Sequence, residues 1–390
     1  MGEFAYTEAL QVLALHASVE IDQLLEAACP PGSSPVVYLA DLGRQVLMPL
    51  AGRAPVENVD KTPAGQVFTT GRPAASDRDG RVRLWVPVTE QTACIGVLAL
   101  NMPDASPDSV RQAELLGVFT GLVVGTVTRA SDSPRIRRQG KQLSLPASMQ
   151  WDMLPPWAIR VPGALIAGIL EPAYDVAGDA FDYAADDGLL NFTVIDGMGH
   201  GLGATLLAGL AVGAYRHARR TRASVPEMHG AMDKALARGY DDMSFATGIV
   251  GRLTVATGHL EWTCAGHPPP LLMRGQNPPV ELECTPTLPF GLGGLPPTVS
   301  TIDLEPGDVV LLYTDGITEA HTLERELFGL DRLVRLLGDE YSGGHQPEEL
   351  LRRMIGSILD YQAGELRDDL TLLMLRWYGP PDGSIRPAGG

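Results

Sequence analysis

The sequence predicts an α+β protein in which a smaller α/β domain precedes a larger antiparallel one, and three observations carry that prediction. Apolar runs at 164–170, 189–195, 247–255, 259–265, 269–273, 309–313 and 370–378 read as buried strands. Helical patterns fall between them at 204–220, 226–239, 328–337 and 347–361, an order that suits an antiparallel sandwich with its helices grouped outside. Ahead of all of these stands a polar connector from Ser131 to Lys141, carrying Arg135, Arg137 and Arg138, where the texture of the chain changes.

Composition narrows the class. A chain of 390 residues with 45% hydrophobic content is long enough for two or three domains and suits a soluble globular protein. The formal charge of -17, with lysines only at 61, 141 and 234, argues against nucleic-acid binding and favours cations as partners. Cys29, Cys94, Cys264 and Cys284 form no C-x-x-C pair, so neither a zinc site nor a disulfide framework is expected, and a reducing cytoplasm fits. Glu3 and Glu8 precede the first apolar residues, unlike a signal peptide. No membrane segment is expected, because the longest apolar stretch, 115–128, is broken by Gly117, Thr120, Gly121 and Gly125 and falls short of the ~20 residues of a span.

Taken in order, residues 1–28 place Leu10, Leu13, Ala14, Ala17, Ile21, Leu24 and Leu25 at helical spacing. Short strands follow at 35–39 and 46–50, then two longer ones, VRLWVPV and CIGVLALNM, which close a compact module over 1–105. Cys94 reads as a small buried strand residue. Ser106-Pro107-Asp108 is a helix start with a serine cap and proline in the first turn. The helix it opens is apolar nearly all round, which implies either a plain core helix or one shared with a second subunit. A further short helix, LPASMQWDML, stops at Pro155-Pro156, so linker helices are expected over 106–155, the larger domain over 156–378 and a disordered tail over 379–390.

Four acidic loops abut the apolar runs of the larger domain: Val176 to Asp179, Ile195 to Gly197, Thr314 to Gly316, and Arg367 to Asp369. A single Asp-Gly usually marks a turn. Four acids set against buried strands converge if those strands share sheets, and a cation must then offset their repulsion. Oxygen donors without a His or Cys pair select hard ions, Mg2+ or Mn2+, and an uncovered glycine carbonyl after Asp196 can join them. Two such ions can lower the pKa of a shared water and aim it at phosphorus. A competing pattern lies in the same stretch: Gly199 to Ala204 matches the G-x-G-x-x-[GA] turn of dinucleotide-binding oxidoreductases, although it leaves three acidic loops unexplained. No cysteine is followed by arginine at thiol-phosphatase spacing, and no P-loop or kinase H-R-D loop is present.

Two resemblances follow from these residues. AGQVFTTGRPAASDRDG with RVRLWVPVTEQTACIGVLALN is similar to the second half of a GAF domain, which implies a sensor of small ligands or a dimerisation module. EPAYDVAGDAFDY, FTVIDGMGHGLGATLLA, FATGIVGRLTVATGHLEWTCAGHPPPLL, LPFGLG, LLYTDGITEA, FGLDRL and RDDLTLLML, led by SMQWDMLPP, resemble metal-dependent serine/threonine phosphatases of the 2C-like superfamily, in the branch of the stage II sporulation protein E and the sigma-factor regulator U. That resemblance implies an α-β-β-α sandwich and two divalent cations, Mn2+ or Mg2+. It implies Asp196 as the bridging carboxylate, Gly197 as a carbonyl ligand, Asp179 on the second-metal side, and Asp315 and Asp368 on the other. Asp369, which stands where the wider superfamily has Asn, is a further candidate metal ligand, and Ala177 stands where the branch has Gly. His200 is expected as a loop residue with proton donation as the alternative, and His267 as a turn residue. The implied substrate is a phosphorylated anti-sigma-factor antagonist, with homodimerisation through sensor and linker helices. A catalytically silent pseudophosphatase that acts as a binding protein is the other reading.

Overall fold

The computed structural model describes residues 21–50, 54–78, 81–90, 92–128, 131–132, 136, 138, 143–171, 178–239, 244–364, 366 and 368–381. It forms two compact units, Met1–Gln142 and Leu143–Gly390. Of the helix expected over 1–28, Ile21–Ala28 (α1) is described. Residues 1–20, Val176, Ala177, Arg367 and 382–390 lie outside the described residues.

The first unit is a six-stranded antiparallel sheet in the order β3-β2-β1-β6-β5-β4, from Val36–Ala40 (β1), Val46–Pro49 (β2), Glu57–Asn58 (β3), Ala74–Arg78 (β4), Arg81–Glu90 (β5) and Ala93–Met102 (β6). Period-2 alternation sends its side chains to two cores. Tyr38, Trp85, Val97 and Ala99 meet Val67 and Phe68 of Pro63–Thr70 (α2) on one face. Leu84, Val86, Leu98 and Leu100 meet α1 and Pro107–Val127 (α3) on the other. The start of α3 is as the sequence indicates, with the Ser106 hydroxyl accepting from Ser109 N at 3.3 Å.

The segment expected as linker helices, 106–155, is divided between the units. Helix α3 belongs to the first because Gly117 and Gly121 let it lie against β5; a Cβ there would meet the Pro87 and Thr89 carbonyl oxygens at 2.4 and 1.8 Å. By length and composition α3 could cross a membrane, yet half of its apolar window is buried in this unit. Leu115, Val118 and Leu122 remain exposed along its other side. Leu145–Met153 (α4) belongs to the second unit.

That second unit is a sandwich of two sheets. One runs β15-β12-β11-β10-β9, with β16 also paired to β12; the other runs β14-β13-β17-β18-β8-β7. The first comprises Asp179–Asp186 (β9), Leu189–Gly197 (β10), Ala246–Thr254 (β11), His259–Ala265 (β12), Pro286–Thr287 (β15) and Ser300–Asp303 (β16). The second comprises Ala158–Val161 (β7), Ala164–Glu171 (β8), Leu271–Met273 (β13), Val280–Glu281 (β14), Val309–Tyr313 (β17) and Leu370–Trp377 (β18). Leu202–Arg220 (α5) and Val225–Gly239 (α6) cover the outer face of the first sheet through Leu207, Ala211, Tyr215, Met228 and Met232. Pro347–Tyr361 (α9), with Gly329–Ser342 (α8) beside it, covers β8 and β18, which completes an α-β-β-α layering.

Between the sheets, Phe181, Phe192, Trp262, Leu312, Leu373 and Trp377 form the buried core. Glycines make room for the rings: a Cβ on Gly168 would stand 2.4 Å from the Phe181 ring, and one on Gly251 would stand 2.2 Å from Phe192. Overfilling a packed core costs about 1–3 kcal/mol. Gly168→Val is therefore expected to destabilise the second unit by about that amount, read as a lower denaturant midpoint at unchanged slope.

Candidate active site

Strand direction explains why distant acids meet. Asp179 opens β9 and Asp196 lies at the end of β10; the two strands are antiparallel, and their register places Asp179 directly opposite Asp196. In the facing sheet β17 ends at Tyr313 just before Asp315, and its antiparallel neighbour β18 begins just after Asp369. Each antiparallel pair thus brings two acidic loops to the same end.

Hydrogen bonds across the sheets bring the two pairs together. Thr314 Oγ1 and Thr371 Oγ1 each donate to Asp179 Oδ2 at 2.6 Å. Asp369 Oδ2 accepts from Gly178 N at 3.0 Å, Asp179 N at 3.3 Å and Gln150 Nε2 at 2.5 Å, and the same Gln150 amide donates to the Asp179 carbonyl at 2.8 Å. Gly197 N donates to the Gly178 carbonyl at 2.9 Å, which joins the two loops of the first sheet. Asp315–Thr318 (α7) can begin where it does because Gly316 has no Cβ; one there would stand 2.2 Å from the Asp369 carbonyl oxygen.

The electrostatics record the crowding. Asp196 is pushed up to about 8, first by desolvation, then by Asp315 and Asp368, with a hydrogen bond to the Asp315 side chain holding its proton. Asp179, buried, is raised well above the ordinary carboxylate range by desolvation, then by Asp196 and Asp369, against the two threonine hydroxyls. Asp368 is raised in the same way, by desolvation ahead of Asp369 and Asp315, and its nearness to His200 opposes the shift. Glu319, at the exposed end of α7, is raised by desolvation and then by Asp315 and Asp368, which places a fifth acid beside the group.

The structure thus brings Asp179, Asp196, Gly197, Asp315 and Asp368 to one edge of the sandwich. Asp369 turns inward, 1% exposed, with Oδ2 engaged by three protein donors. His200 stands exposed between β10 and α5. His267 is buried beneath: Thr247 Oγ1 lies 2.9 Å from its Nδ1, and its Nε2 lies 3.0 Å from the Tyr313 carbonyl. A carbonyl only accepts, so Nε2 carries the proton and Nδ1 accepts from the threonine. Burial pushes this imidazole down to about 4, so the ring is a neutral strut for the turn before Asp315. Gln150, Thr314, Thr371 and Glu319 are the positions that spacing alone misses. The dinucleotide alternative is corrected: β10 has antiparallel partners on both sides, whereas that fingerprint needs a parallel βαβ unit.

Among the described residues no three His, Cys, Asp or Glu side chains form a closed metal-ligand cluster. The donor set nevertheless fits hard divalent cations, which keep several waters and take one or two carboxylates apiece. The raised Asp196, pushed up by burial and then by Asp315 and Asp368, marks where positive charge is wanted.

Residues 186–378 match the family model described as stage II sporulation protein E, a span that includes Asp196, Gly197, Asp315, Asp368 and Asp369 and begins just after Asp179. The chain is 24% identical over 275 residues to protein IcfG of Synechocystis sp., covering 61% of this chain and 40% of that protein. It is 25% identical over 214 residues to phosphoserine phosphatase RsbU of Bacillus subtilis, covering 54% of this chain and 62% of that one. The crystal structure of the RsbU and RsbW domains of Rv1364c from Mycobacterium tuberculosis superposes with a TM-score of 0.51 at 31% identity, covering 56% of this chain and 61% of that one. The chain spans less than two thirds of each of these relatives.

The raised Asp196 sets the sign of a pH effect. A carboxyl at about 8 in the folded protein and at ~3.9 unfolded stabilises the fold fully below pH ~4 and loses that contribution as pH climbs through 8. Chelator-treated protein is expected to melt at progressively lower temperature across that window, Asp196→Asn to flatten the slope, and added Mn2+ to raise the melting temperature at pH 8. Thermal unfolding followed by circular dichroism checks all three.

Proposed function

We propose, from the premise that residues 186–378 form a domain of the stage II sporulation protein E family, that this chain is a metal-dependent protein serine/threonine phosphatase. The observation that carries the reading is the meeting of Asp179, Asp196, Asp315 and Asp368 at one end of two facing sheets, where burial and then the neighbouring acids raise Asp196. Two divalent cations, Mn2+ or Mg2+, would be held by Asp196, the Gly197 carbonyl and Asp179 on one side and by Asp315 and Asp368 on the other. When bound they supply Lewis-acid charge for phosphoryl oxygens and an acidified water as nucleophile.

The chain's own residues do the positioning. Thr314 and Thr371 fix the rotamer of Asp179 by occupying its Oδ2. Asp369 holds the 178–179 backbone in place and acts in this reading through the loop it supports. Gly178 and Gly197 keep the floor of the site open, since a Cβ on Gly178 would stand 2.7 Å from the Gly197 carbonyl oxygen. Hydrolysis by water needs no phosphoenzyme, in keeping with the lack of a candidate nucleophile in the sequence.

The similarity to phosphoserine phosphatase RsbU supports a phosphoserine substrate, and the family resemblance in the sequence points to a phosphorylated anti-sigma-factor antagonist as that protein. The first unit we read as a GAF-like sensor. The exposed stripe of Leu115, Val118 and Leu122 on α3, at helical spacing i, i+3 and i+7, supports pairing with a second copy through that helix.

Asp196→Asn and Asp315→Asn are each expected to lower manganese-dependent hydrolysis of p-nitrophenyl phosphate and of a phosphoserine peptide by on the order of 10^3-fold, the scale of losing a preorganised electrostatic group. Circular dichroism should remain native. Turnover close to that of the parent in either variant sinks the reading, and an inactive parent protein would make the chain a binding protein instead.

A further inference from the structure

Two thiols that play no part in the acid cluster pack on the same core between the sheets. Cys264 sits on β12, buried, and Cys284 sits half-buried in the irregular segment between β14 and β15. Strand β15 runs parallel to β12 with Pro286 opposite Cys264, which draws the segment bearing Cys284 along that strand. Both side chains pack on the core between the sheets and both are free, and the Cys264 thiol feels Cys284 directly. We propose that Cys264 and Cys284 form a dithiol oxidised by a peroxide, and that closing the disulfide releases the His267 turn from the strand below it.

The two cysteines divide the chemistry by exposure. Cys284 is flanked by the exposed Glu283 and Thr285 and is the thiol a small oxidant reaches. Cys264 is held protonated, its thiol pushed up to about 12 by burial and then by Cys284. In the first step Cys284 sulfur attacks a peroxide oxygen, the O–O bond breaks, and one water leaves as sulfenic acid forms. In the second, Cys264 sulfur attacks that sulfenic sulfur, its proton departs with the hydroxyl as a second water, and the S–S bond forms. Two thiols lose two electrons and one peroxide gains them. The 283–285 segment lies outside the strand ladders and can adjust to disulfide geometry, which a ladder strand could not do without breaking its register.

The structural consequence follows from one hydrogen bond. Cys264 Sγ donates to the His267 carbonyl at 3.0 Å, and a disulfide sulfur has no proton to donate. His267 in turn holds the Tyr313 carbonyl and Thr247, which stands opposite Asp196 in the β10–β11 register. Tyr313 is followed by Thr314, a hydroxyl partner of Asp179. Oxidation therefore removes a bond two links away from the acid cluster.

The test uses the full-length reduced protein, treated with hydrogen peroxide, freed of oxidant, alkylated and mapped under non-reducing conditions. The expected product joins the Cys264 and Cys284 peptides, reverts with dithiothreitol, and leaves Cys29 and Cys94 alkylated. In Cys264→Ser, Cys284 should instead be trapped by dimedone as sulfenic acid. Cys264 that stays fully alkylatable after peroxide and denaturation overturns the dithiol. Amide exchange in peptides covering 264–269 and 311–316 should quicken on oxidation, and unchanged exchange overturns the released turn. Resting on the phosphatase reading, turnover measured after oxidation should fall several-fold, and Cys284→Ser should resist; if reduced protein shows no turnover, that reading fails while mapping and exchange still decide this one.

Discussion

Like-charge repulsion at one edge of a rigid sandwich is the constraint around which the second unit is built. Carboxylates drawn together out of water oppose one another, and the cost appears in Asp196, pushed up to about 8 by burial and then by Asp315 and Asp368. Neutral donors carry the rest of the arrangement. Asp179 is held by two threonine hydroxyls, and Oδ2 of Asp369 accepts from an amide side chain and two backbone N–H groups, all uncharged donors. That leaves the net negative charge of the mouth available to a cation. An ion-paired version of the same pocket would hold its shape with no such demand.

The topology makes the gathering inexpensive in backbone terms. In an antiparallel pair the ends of neighbouring strands alternate at each edge, so Asp179 with Asp196 and Asp315 with Asp368 reach one edge with no strand crossing the site. Close approach then depends on missing side chains at Gly178, Gly197 and Gly316. The aromatic core between the sheets supplies stiffness, and Trp377 anchors one end of β18 through its indole N–H on the Val255 carbonyl at 2.8 Å.

Much of this was legible in the chain because acids abutting apolar runs are a local pattern, and the runs fix which residues end a strand. Asp179, Asp196, Asp315 and Asp368 could be picked out in that way. The inward turn of Asp369 could not, because its partner Gln150 lies 219 residues away and nothing in the spacing joins them. The Gly199 to Ala204 match misled for a related reason: a glycine pattern between strand and helix says nothing about whether the neighbouring strands are parallel. Gly117 and Gly121 read as interruptions of an apolar helix, whereas they are the contact points that seat α3 on its own sheet. The cysteines looked scattered because the parallel β12–β15 pairing that joins Cys264 to the Cys284 segment is short and non-local.

The helix that follows the connector has a standing different from the rest of the unit. Of its residues only Ala147 and Gln150 are buried, so docking α4 removes little apolar surface from water, with Met153 set against Gly209 of α5 as a further contact. Elements with few buried apolar groups open at low free-energy cost. Yet the amide of Gln150 is a shared donor to Asp369 and to the Asp179 backbone, and lifting α4 would leave a buried carboxylate short of one charge-assisted hydrogen bond. Weak apolar docking combined with strong polar contact makes the seating of α4 and the geometry of Asp179 interdependent. By linkage, whatever favours one favours the other to the same extent, so a cation drawn to the acids stabilises the docked helix, and a force that lifts the helix weakens the cation site.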